Sequence, residues 1–229
     1  MSNWMIYVSI TVVCILFFIS FSIFKKKYIK EMSKTLYSDN NPDLYLKRLD
    51  NIEGKILVNK KMRLFRKIDA YAMKNDKDNI LNIFKELESL KLSFGQKVNL
   101  YEKEVEYYIN QKIYDKAIEA NKTLQDLAKQ LDIEDLQKIA INCNALVETY
   151  ANKNGSLANE MVKYAEEANI ITVKGTYYFR AARCYYYRDE PKLVDKYLEK
   201  AYDNLAKTSL ASSILTCKKN HEKIEEINI

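Results

Sequence analysis

Two patterns of hydrophobic and polar positions divide the chain. From Trp4 to Phe24 every residue is uncharged, WMIYVSITVVCILFFISFSIF, and Lys25, Lys26 and Lys27 close the run. From residue 55 onward, apolar residues instead recur every three or four positions, the spacing of an amphipathic helix. Short breaks interrupt this second pattern, among them Asn75-Asp76, Gln111-Lys112, Leu131-Asp132, Asn154-Gly155 and Arg188-Asp189-Glu190. It predicts helices over 55–75, 77–91, 94–111, 113–131, 133–153, 156–169, 172–188, 191–207 and 209–226. Loops this short turn successive helices into antiparallel hairpins.

The uncharged run is 21 residues long, and at 1.5 Å per residue it makes a helix of about 31 Å, against a hydrocarbon core of about 30 Å. Its Ser and Thr hydroxyls can bond back to helix carbonyls, and Trp4 and Tyr7 stand near one end, where amphipathic rings favour an interface. A cleaved signal peptide would need a basic start, which MSN lacks, and a shorter apolar core. The pattern therefore predicts a single transmembrane helix within an anchor of residues 1–27, with Lys25, Lys26, Lys27 and Lys30 as its basic membrane flank. By the positive-inside tendency the N terminus lies outside the cell membrane and the C-terminal domain in the cytoplasm, with residues 4–30 in contact with lipid.

Residues 28–54 read as a helical connector, with Tyr28 to Tyr37 as a continuation of the preceding helix. Ser38 to Asn41 break the pattern, Pro42 suits the start of a helix carrying Leu44, Leu46 and Leu49, and Gly54 reads as its end.

The hairpins after residue 55 resemble one another. Leu64, Ile68 and Tyr71 on one helix precede Ile80, Phe84 and Leu87 on the next, and Tyr101, Val105 and Tyr108 precede Tyr114 and Ala117. Cys143, Leu146, Val147 and Tyr150 precede Leu157, Met161 and Ala165; Tyr178, Ala181, Ala182 and Tyr185 precede Val194, Leu198 and Ala201. Tyr71, Tyr108, Tyr150 and Tyr185 follow one another at 37, 42 and 35 residues, a period that marks an α-solenoid of two-helix units. Nine residues separate Tyr71 from Ile80, Tyr108 from Ala117 and Tyr185 from Val194, while the third unit carries about two extra residues between Asn152 and Ser156. The final helix, with Leu210, Ile214, Cys217, His221 and Ile224 on one face, reads as a cap.

On these residues, YFRAARCYYYRDEPKLVDKYLEKA (178–201) and YEKEVEYYINQKIYDKAIEA (101–120) above all, the chain resembles the tetratricopeptide repeat. The resemblance covers about 55–207 as four units, with the family's signature glycine replaced throughout. The expected fold is all-α: a transmembrane helix, then a tetratricopeptide-like solenoid over 55–229 with a C-terminal capping helix. The family offers its first helices to a concave groove. That implies a partner-binding row of Phe65, Asp69, Asn99, Glu102, Glu106, Asn144, Glu148, Phe179, Arg183 and Tyr186. Its acidic and amide middle between aromatic ends implies a protein or peptide partner with apolar anchors and a basic stretch.

Composition narrows the alternatives. The formal charge is +6, of which residues 25–34 carry +4 through five lysines and Glu31, so the body is nearly balanced. That is no footprint for nucleic acid. Four cysteines without close spacing and a single histidine argue against a zinc site or a disulfide framework. No nucleophile–base set, glycine-rich phosphate loop or cofactor motif is present, so the expectation is a protein that is not an enzyme and needs no cofactor. His221, on an apolar stripe, reads as a packing residue. The favoured reading is a membrane-anchored adaptor or scaffold binding its partner through the groove; the alternative is a spectrin-like structural bundle of an envelope or division assembly.

Overall fold

A computed structural model of the chain describes residues 3–130 and 133–228, without the side chains of residues 3, 5, 6 and 9. Among the described residues it is all-α, a succession of helices with no strand, and the helices pack in pairs consistent with a helical solenoid. The expected break at Leu131-Asp132 lies outside the described residues. The chain divides into two compact units, Met1–Leu92 and Ser93–Ile229.

In the first unit, α1 runs Asn3–Ser33, followed by a π-helical turn Lys34–Ser38, α2 (Pro42–Asp50), α3 (Ile52–Leu57), α4 (Lys60–Met73) and α5 (Lys77–Ser89). Here the sequence reading needs correction. Among the described residues no helix is long and apolar enough to cross a membrane. The single-pass anchor is therefore withdrawn. With it go the cell-membrane location, the outside–inside orientation, the lipid contact of residues 4–30 and the membrane-flank role of Lys25, Lys26, Lys27 and Lys30. Helix α1 continues through those lysines, and Tyr28 and Met32, with Leu36 beyond, enter a core shared with Tyr45, Leu49, Leu57, Val58 and Ala70.

The stretch expected to be a connector is thus packed. The Tyr28 hydroxyl donates to the Arg48 carbonyl at 2.7 Å, and the Arg48 guanidinium donates to Thr35 at 3.3 Å while lying 5.5 Å from the Tyr28 ring centroid. Pro42 opens α2 as expected, with Asn41 capping it by accepting from the Leu44 amide. Gly54 does not end a helix. It sits inside α3, which folds back on the end of α2, and a Cβ there would meet the backbone carbonyl oxygens of Arg48 and, at 2.6 Å, Leu49. Only glycine allows that approach.

The second unit has α6 (Phe94–Asn110), α7 (Tyr114–Ala128), α8 (Glu134–Tyr150), α9 (Ala158–Glu167), α10 (Ile171–Tyr186), α11 (Pro191–Leu205) and α12 (Ala211–Lys219). A short 3-10 segment, His221–Glu226, follows α12. Helices α6/α7, α9/α10 and α10/α11 pack closely, α6 lies against α8, and α8 touches α10. Ala181, Ala182 and Ala201, all fully buried, allow α10 and α11 to approach, and a Cβ on Gly175 would strike Leu205 at 2.5 Å. Tyr197 of α11 stacks on Tyr185 with ring centroids 5.2 Å apart and planes 5° from parallel, while the Tyr185 hydroxyl donates to Asn159 at 2.7 Å.

One turn recurs. After Tyr71, Tyr108 and Tyr185 the fourth residue (Asn75, Lys112, Asp189) has φ of 52°, 57° and 55°. The fifth residue donates its amide back to the tyrosine carbonyl: Asp76 at 2.9 Å, Ile113 at 2.8 Å and Glu190 at 3.1 Å. That fifth residue is also the N-cap of the next helix, so its carbonyl receives the amide of the ninth residue, Ile80, Ala117 or Val194. The nine-residue step is a left-handed C-cap joined to an N-cap, and it delivers the ninth side chain to the core, where all three are at most 1% exposed. The third hairpin differs as expected: Lys153 has φ of 51°, Asn152 donates to the Val147 carbonyl and Asn154 to that of Glu148, and a 3-10 turn, Gly155–Leu157, precedes α9.

The cap also differs from the expected single helix. Asn220 swings to φ −147°, ψ 107°, ends α12 and caps the 3-10 segment by accepting from the Glu222 amide at 3.0 Å. Ile214, Cys217 and Ile224 remain buried on one side, and His221 packs at the edge with its Nε2 2.8 Å from Asp195.

Candidate functional site

Within the second unit, the expected groove row falls on α6, α8 and α10. Asn99 and Glu106 are exposed and Glu102 is half-buried on α6; Asn144 is exposed and Glu148 half-buried on α8. Burial first, then the neighbouring Glu106 carboxylate, raises the pKa of Glu102, with Lys103 opposing. The same two carboxylates reinforce the larger effect of burial in pushing up the Cys143 thiol. Asn144 accepts from Asn121 of α7 at 3.2 Å. Glu148 is used by the irregular third turn, accepting from Asn152 at 2.8 Å and Asn154 at 2.9 Å.

On α10 the row turns inward. Phe179 is fully buried in the core formed by α8–α12, Tyr186 is half-buried at its edge, and Arg183 is 1% exposed. Arg183 would be costly to bury without partners, and it has them. Its Nη1 donates to the carbonyls of Ile224 at 2.9 Å and Ile227 at 2.8 Å, its Nη2 reaches that of Glu225 at 3.5 Å, and its Nε donates to the Tyr187 hydroxyl at 2.8 Å. Its guanidinium carbon stands 4.4 Å from the centroid of the Tyr150 ring and 5.8 Å from that of Tyr187. Burial outweighs Arg183 and raises the Tyr187 pKa.

The C-terminal tail therefore packs on Arg183 of the candidate row and reaches Lys153 after α8 and the end of α6. Ile224 is fully buried, Glu225 pairs with Lys153 at 2.8 Å, and the Asn228 side-chain amide donates to the Ile109 carbonyl at the end of α6, also at 2.8 Å. Beside that contact lies a cavity of about 150 Å³ lined by Glu106, Ile109, Asn110, Leu146 and Arg180. Arg180 is itself buried, donates to Asn142 at 3.2 Å and lies over the Tyr177 ring. The face thus combines a buried guanidinium that reads backbone carbonyls, an apolar seat, a surface lysine and a small polar cavity. Sequence reasoning did not foresee the contributions of Tyr150, Tyr187, Lys153 and the tail. Arg183 and Tyr187 at i, i+4 on a helix were the one local signal available.

In the first unit, Phe65 is buried in the core, and Asp69 is half-buried and accepts from the Tyr37 hydroxyl at 3.0 Å. Burial and that carboxylate push the Tyr37 pKa up to about 12. Among the described residues no group of three or more His, Cys, Asp or Glu side chains could hold a metal ion. No family model, curated protein or solved structure matches the chain.

Proposed function

We propose that the chain is a tetratricopeptide-like adaptor that binds an extended segment of a protein partner across α6, α8 and α10. The observation that carries this reading is Arg183: a buried guanidinium on a first helix of the repeat spends its donors on the main chain of a non-repeat segment. Main-chain hydrogen bonds for affinity with side-chain pockets for specificity are a recurring way to take up an extended peptide. The carboxylates of Glu102 and Glu106 on α6 suit a cationic side chain on the partner. The repeated left-handed turn and the nine-residue tyrosine step support a stack of hairpins over a spectrin-like bundle, which needs long helices with sustained heptads.

Photo-crosslinking tests it. With a crosslinking residue in place of Asn144, the expectation is a discrete adduct whose yield falls about ten-fold when Asn99→Lys and Glu106→Lys reverse the character of α6. Equal yield from both chains would sink the reading.

A further inference from the structure

The tail can be read as an occupant. Ile224 is buried in the same core as Ile214 and Cys217, Glu225 meets Lys153, Ile227 packs at the rim of that core, and Asn228 reaches Ile109. From the tail, the hydrogen bonds to Arg183 are made by main-chain carbonyls, so that contact would accept any segment with the same backbone course. Two features make this occupant displaceable. Its ion pair with Lys153 is at the surface, with side chains 54% and 38% exposed, as is the contact of His221 with Asp195, and such pairs contribute little. And the Asn228 Oδ1, though buried, has no hydrogen-bond partner among the described residues, so the tail's last anchor leaves an acceptor unsatisfied.

We propose that residues 221–228 are a displaceable internal ligand of the α6–α8–α10 face, and that the outside partner takes their place with a segment of the same pattern: aliphatic, acidic, any residue, aliphatic, amide. This rests on the adaptor reading above and adds the partner's pattern and its regulation. The free chain is self-occupied, so a partner binds only as the tail leaves. Its observed affinity is its intrinsic affinity reduced by the fraction of chains with an open face.

The test uses full-length chains and a fluorescein-labelled peptide of residues 221–229, read by anisotropy. The wild-type chain should bind the peptide weakly, because its own tail competes at high effective concentration. Glu225→Lys places like charges together, loosens the tail and should tighten peptide binding about ten-fold. Adding Lys153→Glu restores an opposite-charge pair in the chain and mismatches the peptide, so binding should fall back to the wild-type level or below. Lys153→Glu alone should bind a peptide carrying E225K more tightly than the unchanged peptide. These are surface positions, and far-UV circular dichroism checks that each chain stays folded. The same peptide affinity for all four chains, or no binding to the Glu225→Lys chain, would overturn the inference. A crosslinked partner that is lost with Asn99→Lys plus Glu106→Lys but unmoved by Glu225→Lys would overturn it too, while leaving the adaptor reading standing.

Discussion

The Arg183 guanidinium lies 4.4 Å from the centre of the Tyr150 ring, and both side chains are essentially without solvent exposure. A desolvated cation–π contact is worth about 2 kcal/mol or more, and charged hydrogen bonds to carbonyls about 1.5–3 kcal/mol each before desolvation is set against them. Arg183→Met keeps much of the side-chain length but leaves the carbonyls of Ile224 and Ile227 without their donor. We expect it to lower the urea unfolding free energy of the full chain by about 2–4 kcal/mol. A change under about 0.5 kcal/mol would mean the tail is not held by this residue.

The recurring left-handed turn gives a second prediction. Lys112, at φ 57°, carries a Cβ where glycine would be unstrained. Lys112→Gly should leave stability unchanged or raise it by up to ~1 kcal/mol, whereas Lys112→Val, branched at Cβ, should lower it by more than that. Thermal denaturation of the two variants side by side decides this, and equal melting temperatures would count against the turn.

Glycines separate by what surrounds them. Gly95 has open space where a Cβ would be, whereas Gly54 faces the carbonyls at the end of α2. Gly95→Ala should stabilise by about 0.4–1 kcal/mol through the unfolded chain and helix propensity. Gly54→Ala should destabilise by more than that, because backbone must move. Chemical denaturation measures both, and the opposite ordering would contradict the packing of α3 on α2.

Glu102 predicts a pH dependence. Its pKa in the folded chain is raised above the ordinary carboxylate value by burial and by Glu106, so folding favours its protonated form. The stability this contributes is full below the unfolded-state pKa and is lost as pH rises through the higher folded-state value. The urea midpoint of Glu102→Gln should therefore decline less between about pH 4 and pH 7 than that of the wild type. Parallel profiles would argue against the burial of this carboxylate.

Thiol reactivity follows from burial. Cys184 and Cys217 are pushed up to about 11 by burial, Cys143 is pushed up as well, and all three are buried, whereas Cys14 is exposed. At pH 8 a maleimide should modify Cys14 quickly and the other three only after denaturation, as mass spectrometry of digests would reveal. Fast labelling of Cys217 in the native chain would mean that the region under the tail opens readily.

How much was legible beforehand depends on how local each feature is. The Tyr–small step of nine residues could be read because one turn and one helix start produce it, all within a few residues. The longer third turn showed in the spacing for the same reason. Phe65 and Phe179 misled because a helix inside a stack has neighbours on two sides, so periodicity alone does not say which face is free. Gly54 misled because its role is set by a close approach to α2, not by its own backbone angles. The hold of Arg183 on the tail could not be read: its partners there are main-chain carbonyls about forty residues later, and a carbonyl carries no residue identity. The apolar N-terminal run and its continuation past the lysines were legible as helix, but the packing of Tyr28, Met32 and Leu36 into the first unit's core was hidden by the abrupt change in composition.

The bond from Asn228 to Ile109 spans 119 residues and ties the last described residue to the first helix of its unit. An open stack of hairpins frays from its ends, one unit at a time. A tail returning to the start turns such a row into a loop closed by a clasp. Tension applied at the C terminus would load that clasp, with Arg183 at its middle, before any hairpin could peel away. In mechanical terms the segment works as a latch: while it holds, the hairpins yield together, and once it slips they can yield in turn.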